Sequence, residues 1–310
     1  MSQLPGDFQR VAIAAPGLLG GSLALALAAR RPCPAIRVWG RRAEPLETLR
    51  AAIAPRADLD FAASTDFAEA AAGADLIVLA TPVGAMRETL LSLLDSEGPP
   101  APGAVVTDMG SVKGSVVAEL EPLCAARGLR FVGSHPMAGS QQKGAEHASD
   151  ALFAGAACLL TPTAATDAAA LERVDAFWRT LGCRTHRLAP GAHDRAVARI
   201  SHLPHVLAAT LVATALSGDG ADAGNYAAGG FRDTTRVASG PPEMWAEILL
   251  ENRGPLSALL LDFREKIGEL LVFLEAGDRE NLVRFLSQAK ERRDALYPRP
   301  PAPAANPPLS

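Results

Sequence analysis

With 310 residues, 48% of them hydrophobic, the chain is long enough to bury a sizeable core. Its formal net charge of −4 excludes nucleic acid or an anionic membrane surface as its main partner. The first residues lack a basic segment followed by an apolar run and no uncharged apolar stretch reaches spanning length, so the expectation is a soluble, cytoplasmic protein.

Taken in chain order, short apolar runs predict strands at 10–14, 36–39, 75–80, 104–107, 129–133, 157–161 and 184–188. Several, such as Leu76-Ile77-Val78-Leu79, are continuously apolar, as strands covered on both faces should be. Helical spacing fills 83–94, 112–126 and 167–181, and the alternation predicts an α/β, Rossmann-type doubly wound parallel sheet over residues 1–189. From residue 190 the pattern is helical: 191–216, 242–251, 255–275 and 278–296, with a Gly/Ala/Asp stretch at 217–230. Pro204 should kink the first of these helices. An all-α domain is therefore expected over 190–297, followed by a disordered Pro-rich tail at 298–310. Cys33, Cys124, Cys158 and Cys183 are scattered without a C-x-x-C pair, which fits reduced thiols better than disulfides or zinc.

Between the first strand and first helix stands "AAPGLLGGS". Gly17 and Gly20 occupy the second and third places of a dinucleotide-binding G-x-G-x-x-G loop, with Leu18 and Leu19 between them at a helix N-terminus suited to pyrophosphate. The first place holds Ala15, and Pro16 should bias it toward extended backbone. At the end of the second strand, where an NAD site shows Asp or Glu, Gly40 is followed by Arg41 and Arg42. That favours a 2′-phosphate, hence NADP, with NAD possible; a solvated Arg pair is the bland alternative.

Five later stretches carry residues suited to chemistry: "ATPVGAM" with Thr81 and Pro82, "TDMGSVKGS" with Ser111, "GSHPMAGS" with His135 and Ser140, "HDRAVARISHLPH", and "GGFRDTTRVASGPPEMW". Ligands bind beyond the carboxyl ends of strands in open α/β sheets, and "TDMGSVKGS" and "GSHPMAGS" stand there. Each residue has a plain structural reading too. His135 before Pro136 could cap a loop, Arg232, Asp233 and Arg236 could be a surface cluster, and Trp245 could fill a helix seam. His193 and Asp194, at a helix start, read as structural. His202 and His205 are three apart but have no suitable third ligand, so no metal is expected.

Together these motifs resemble the prephenate/arogenate (cyclohexadienyl) dehydrogenase family of tyrosine biosynthesis, from about residue 11 to about residue 293. The resemblance implies oxidative decarboxylation of prephenate or arogenate by hydride transfer to NAD(P), giving 4-hydroxyphenylpyruvate or tyrosine and CO2. By the same resemblance His135 is the catalytic histidine and Ser111 the serine that shares the substrate hydroxyl and orients the imidazole. Arg236 matches the carboxylate clamp and His205 lines the substrate pocket, with Ser140, Gln141, Arg232 and Trp245 as further substrate contacts. Gly17, Leu18, Leu19, Gly20, Arg41, Arg42, Thr81 and Pro82 form the cofactor site, and the helical domain pairs as a homodimer. Where many bacterial relatives carry an acid after "HPMAGS", this chain has Gln141-Gln142-Lys143, which disfavours the arogenate amino group. Two rivals share the layout: a β-hydroxyacid dehydrogenase, whose G-x-x-x-N-x-x-K lysine motif is missing here, and a non-catalytic NADP-binding sensor.

Overall fold

The computed structural model describes residues 5–56, 58–95, 98–139 and 142–297. The α/β part runs β1 (Arg10–Ala14), α1 (Leu18–Ala28), β2 (Ala35–Trp39), α2 (Ala43–Ile53), β3 (Phe61–Ser64), α3 (Phe67–Ala71), β4 (Leu76–Leu79), α4 (Val83–Leu94), β5 (Val105–Asp108), α5 (Gly114–Ala125) and β6 (Arg130–Val132). Its six strands lie in the order β3-β2-β1-β4-β5-β6, all parallel, with Ala14 opposite both Trp39 and Leu79. The order reverses between β1 and β4, so the carboxyl ends of these strands open the crevice in which doubly wound folds bind ligands. Helices cover both faces. Leu23, Leu27, Leu46, Leu49 and Trp178 pack in one core layer, and Met86, Leu90, Leu93, Leu120 and Phe131 in the other.

Strand β3, "FAAS", is a short outer strand that the apolar-run pattern does not reveal, and α3 starts where Asp66 accepts the Ala68 N–H at 2.8 Å. The last two expected strands do not join the parallel sheet. A second, three-stranded sheet is built from β7 (Ser134–Pro136), β8 (Ala157–Leu160) and β9 (Arg184–Arg187), with β7 antiparallel to β8 and β9 parallel to it. The reason lies in β9, "RTHR": Arg184, His186 and Arg187 are exposed, which a strand covered on both faces would not allow. Helix α6 (Ala168–Thr180) lies between β8 and β9 in the chain and sends Phe177 and Trp178 into the core. Gly133 alone separates β6 from β7.

The helical part begins with α7 (Pro190–Val197), a π-helical turn at Ala198–His202, and α8 (Leu203–Ala215). Pro204 has no N–H to give, and the wider turn ahead of it is how the helix accommodates that loss. The Gly/Ala/Asp stretch holds a 3-10 helix, Gly218–Tyr226, and is followed by α9 (Gly229–Thr235), which its two leading glycines hide from sequence reading. Then come a 3-10 turn at Arg236–Ser239, α10 (Pro242–Glu251), α11 (Arg253–Glu275) and α12 (Arg279–Leu296). The chain forms two compact units, one ending at Leu256 and the other starting at Ser257. The continuous helix Pro190–Ala215 is long and apolar enough, by length and composition alone, to cross a membrane. Its His193, Asp194, His202 and His205 are instead buried within the first unit.

Candidate active site

The cofactor loop leaves β1 with Ala15 at φ +86°, not in the extended backbone expected ahead of a proline. Here the turn geometry overrides the local bias: the Ala15 N–H bonds Trp39 O at 2.9 Å, and the chain must then reverse into α1. A Cβ at Gly20 would lie 2.0 Å from the Ala15 carbonyl oxygen, so Gly20 is what lets α1 meet the strand. A Cβ at Gly17 would touch nothing within 4 Å, leaving open approach to the helix start. Among the described residues no side chain caps α1, which leaves the N–H groups of Leu18, Leu19 and Gly20 open to an anion. The Thr81 hydroxyl, next to Pro82 at the head of α4, is buried without a partner. Free helix N–H groups, an open Gly17 and an orphaned hydroxyl together fit a dinucleotide. Arg41 and Arg42 are exposed and make no ion pair among the described residues. Glu247 of α10 accepts the Gly84 N–H in the first turn of α4, a favourable place for a carboxylate that sequence reasoning missed.

The loop after β5 is fixed by a buried ion pair between Asp108 and Lys113, both wholly inaccessible to solvent. Burial pulls the Lys113 ammonium below its usual value, against the opposing pull of Asp108. The same carboxylate accepts Gly110 N–H at 2.8 Å and Ser134 N–H at 3.1 Å, so one acid joins this loop to β7. The Ser134 hydroxyl donates to Asp108 O at 2.5 Å and takes the Trp178 indole N–H at 3.1 Å. Ser111 lies midway along this clamped loop, and its hydroxyl makes no hydrogen bond among the described residues.

His135, on β7, is only partly exposed. Its Nδ1 is 2.9 Å from His193 Nε2, and His193 Nδ1 is 2.8 Å from Asp194 Oδ1. Asp194 is held from the far side by the N–H groups of Lys113 and Gly114, both at 2.8 Å, at the start of α5. Thus Asp194 stabilises the N-terminus of a helix other than its own, and His193 links it to His135. A carboxylate can only accept, so His193 donates through Nδ1 and must accept through Nε2. His135 then donates through Nδ1, which leaves its Nε2 lone pair free. Burial, with His193 and Lys113 nearby, pushes His135 well below 6.5, so the ring stands neutral. Burial raises the Asp194 acid, but the bond from His193 and the two backbone N–H groups outweigh it and hold it below the usual value.

The network continues. Asn252 Nδ2 donates to Asp194 O at 2.9 Å and to His202 Nδ1 at 3.0 Å, and burial lowers His202 to about 4. The Trp245 ring stands edge-on to His202 at 6.2 Å and stacks on His205 at 3.6 Å. A Cβ at Gly240 would come 2.3 Å from the Trp245 indole nitrogen, so this glycine makes room for the stack. His205 is buried, and its Nδ1 has no partner among the described residues. His202 and His205 therefore face different partners. Arg236, in the turn packed against α8, is exposed and has no anionic partner among the described residues. Arg232 is 80% exposed and pairs with adjacent Asp233, so it stays a surface charge. Ser140 and Gln141 lie outside the described residues.

A family model for the prephenate dehydrogenase nucleotide-binding domain matches residues 25–187, beginning downstream of the glycine loop, and one for the dimerization domain matches residues 189–288. The prephenate dehydrogenase of Bacillus subtilis is 33% identical, over 92% of this chain and 76% of that protein. The cyclohexadienyl dehydrogenase of Zymomonas mobilis is 30% identical, over 93% of this chain and 96% of its own. Among solved structures, prephenate dehydrogenase from A. aeolicus with hydroxyphenyl propionate and NAD+ superposes with a TM-score of 0.82 at 32% identity, covering 93% of this chain and 98% of that one. Synechocystis arogenate dehydrogenase does so with a TM-score of 0.77 at 30% identity, covering 93% and 99%.

Proposed function

The chain belongs to the prephenate dehydrogenase family, and on that premise we propose that it oxidatively decarboxylates prephenate, and arogenate less readily, using NADP in preference to NAD. The observation that carries the catalytic assignment is the unbroken line from Asp194 through His193 to His135, which leaves one basic nitrogen facing away from the network. When bound, the nicotinamide supplies the hydride acceptor. His135 Nε2 takes the proton of the ring hydroxyl as the carbinol C–H electrons depart as hydride, and the charge gained is spread toward His193 and Asp194. The ring carboxylate then leaves as CO2, its bonding pair passing through the ring to the former hydroxyl oxygen, which takes back the proton held by His135 as the aromatic phenol forms.

Ser111 holds the same hydroxyl and keeps it aimed at the imidazole. Arg236 is the guanidinium for a substrate carboxylate, with the His205–Trp245 stack beside it. Arg232, paired to Asp233, is left with a lesser part. Ser140 and Gln141 keep only the support of the motif resemblance, and so does the bias toward prephenate from the missing acid. NADP is favoured by Gly40 with the unpaired Arg41 and Arg42. The domain boundary near residue 190 is supported by the change from strand–helix alternation to helices. A homodimer is supported by the description of the matching C-terminal family model and by exposed Leu261, Ile267, Leu271, Val272, Val283 and Leu286 on α11 and α12. Four free thiols suit a reducing cytoplasm.

The test is formation of reduced nicotinamide by purified protein, with prephenate or arogenate crossed against NAD or NADP. Turnover fastest with prephenate and NADP is expected. Silence in all four combinations, with the nucleotide still bound, overturns the catalytic assignment.

A further inference from the structure

Asn252 closes α10 and leads into α11, with its N–H on Ile248 O at 3.1 Å and its carbonyl taken by Leu256 N–H at 3.2 Å. Asparagine is common at a helix end. Its side chain, however, turns away from its own helix and reaches α7 and the π-helical turn, where Nδ2 donates to two buried residues. One acceptor is the carbonyl oxygen of Asp194, which has no hydrogen to give, so the Nδ2 end of the amide must face it. The same Nδ2 stands 3.0 Å from His202 Nδ1, which must then accept as well. The ring hydrogen of His202 is thereby placed on Nε2.

A proton can reach His202 Nδ1 only by breaking the bond from Asn252, because two donors would otherwise face each other. That matters for the base of the reaction. Among the described residues the titratable groups facing His202 are His193 and Asp194 on α7, His205 on α8 and His135 on β7, while α10 presents Trp245. A positive charge on His202 works against one on His135. An unguarded His202 would therefore compete with His135 for a proton and oppose its transfer from the substrate hydroxyl.

We infer that Asn252 is a positioning residue for the reaction: it keeps Nδ1 of His202 occupied and so reserves the substrate's proton for Nε2 of His135. The inference rests on the reading of His135 as the base and adds to it a residue that no sequence motif marks.

The test follows the histidine ring nitrogens by NMR in the full chain, beside kcat/KM across pH. In the native protein His202 should carry its hydrogen on Nε2 and stay neutral down to about pH 4. Asn252→Asp puts an acceptor where the donor stood. It should move that hydrogen to Nδ1, carry proton uptake by His202 above 6.5, and raise the acid limb of kcat/KM by at least about one pH unit. Asn252→Asp/His202→Gln should bring the limb back, since glutamine has no proton to take. Asn252→Ala should leave the hydrogen divided between the two ring nitrogens, and it keeps the test open if Asn252→Asp fails to fold. The assignment is overturned if His202 holds its Nε2 hydrogen without Asn252, or if the acid limb is the same with and without His202 in the Asn252→Asp background. A lowered Tm with neither change would reduce Asn252 to packing and overturn it too. Silence of the native protein with every substrate would instead overturn the reading of His135, and with it the catalytic role of Asn252, while the ring nitrogens would still decide the tautomer.

Discussion

The segment from Ala15 to Gly20 keeps its shape through backbone and volume: a left-handed φ at Ala15, one hydrogen bond to Trp39, and glycines where a Cβ has no room or meets open space. The segment around His135 is kept by side chains: Asp108 holds Lys113 and Ser134, and Asp194 holds His193, which meets His135. The contrast predicts different tolerance. A site defined by volume accepts an unusual residue if a neighbour gives up the space, as Gly40 does for Pro16, whose ring would lie 2.7 Å from a Cβ at position 40. A site defined by proton positions has no such freedom, because changing one member changes which nitrogen of the next carries hydrogen.

The sharpest way to break this comparison is His135→Asn, expected to lower kcat about 10²- to 10⁴-fold with nucleotide affinity unchanged. Steady-state kinetics beside a binding titration would check it, and a small loss would mean that another group takes the proton. Asp194→Asn should follow, with kcat down about 10- to 100-fold and KM little moved, since it releases the tautomer without removing the base. Its Tm should fall as well, because two backbone N–H groups lose their carboxylate.

The pH dependence comes next. His135 is held well below 6.5 and is proposed to act unprotonated, so the acid limb of kcat/KM should lie below the ordinary histidine range. Stability has the same sign. His202 stands at about 4 when folded and near 6.5 when unfolded, so the unfolded chain binds the proton first. Its contribution is complete above 6.5 and is lost as pH falls toward 4, at up to about 1.4 kcal/mol per pH unit. Thermal melts should therefore drop less steeply over that window in His202→Gln. The smallest effect falls on the loop. Ala15→Gly relieves a left-handed alanine and should add about 1 kcal/mol, a few degrees of Tm, without loss of nucleotide affinity. A destabilised Ala15→Gly would show that alanine suits this turn.

Much of this was open to sequence reading because it rests on period and punctuation. The buried runs of β1, β4 and β5 and the spacing of α4, α5 and α6 announce themselves, and the motif strings locate His135, Ser111 and Arg236. What escaped depends on distant partners. Nothing local says that β8 and β9 leave the main sheet, although the exposed arginines of β9 were a signal. Ala15 was expected extended because the proline bias is local, whereas the turn that overrides it is set by the strand-to-helix reversal. His193 and Asp194 read as ordinary helix-start residues because their partners, His135 and the head of α5, lie 58 and about 80 residues away. Asn252 carries no motif at all, yet it joins the two histidine groups.

Gly133, the single residue between β6 and β7, has a consequence for dynamics. A Cβ there would come 2.4 Å from the Thr161 hydroxyl and 2.9 Å from Val117, so its backbone is gripped from both sides. His135 follows two residues later, paired to Leu159 across the second sheet. Its amide can therefore trade hydrogen with solvent only when β7 parts from β8. In hydrogen exchange the His135 amide should belong to the slow class of amides, whereas sites carried on loops exchange early.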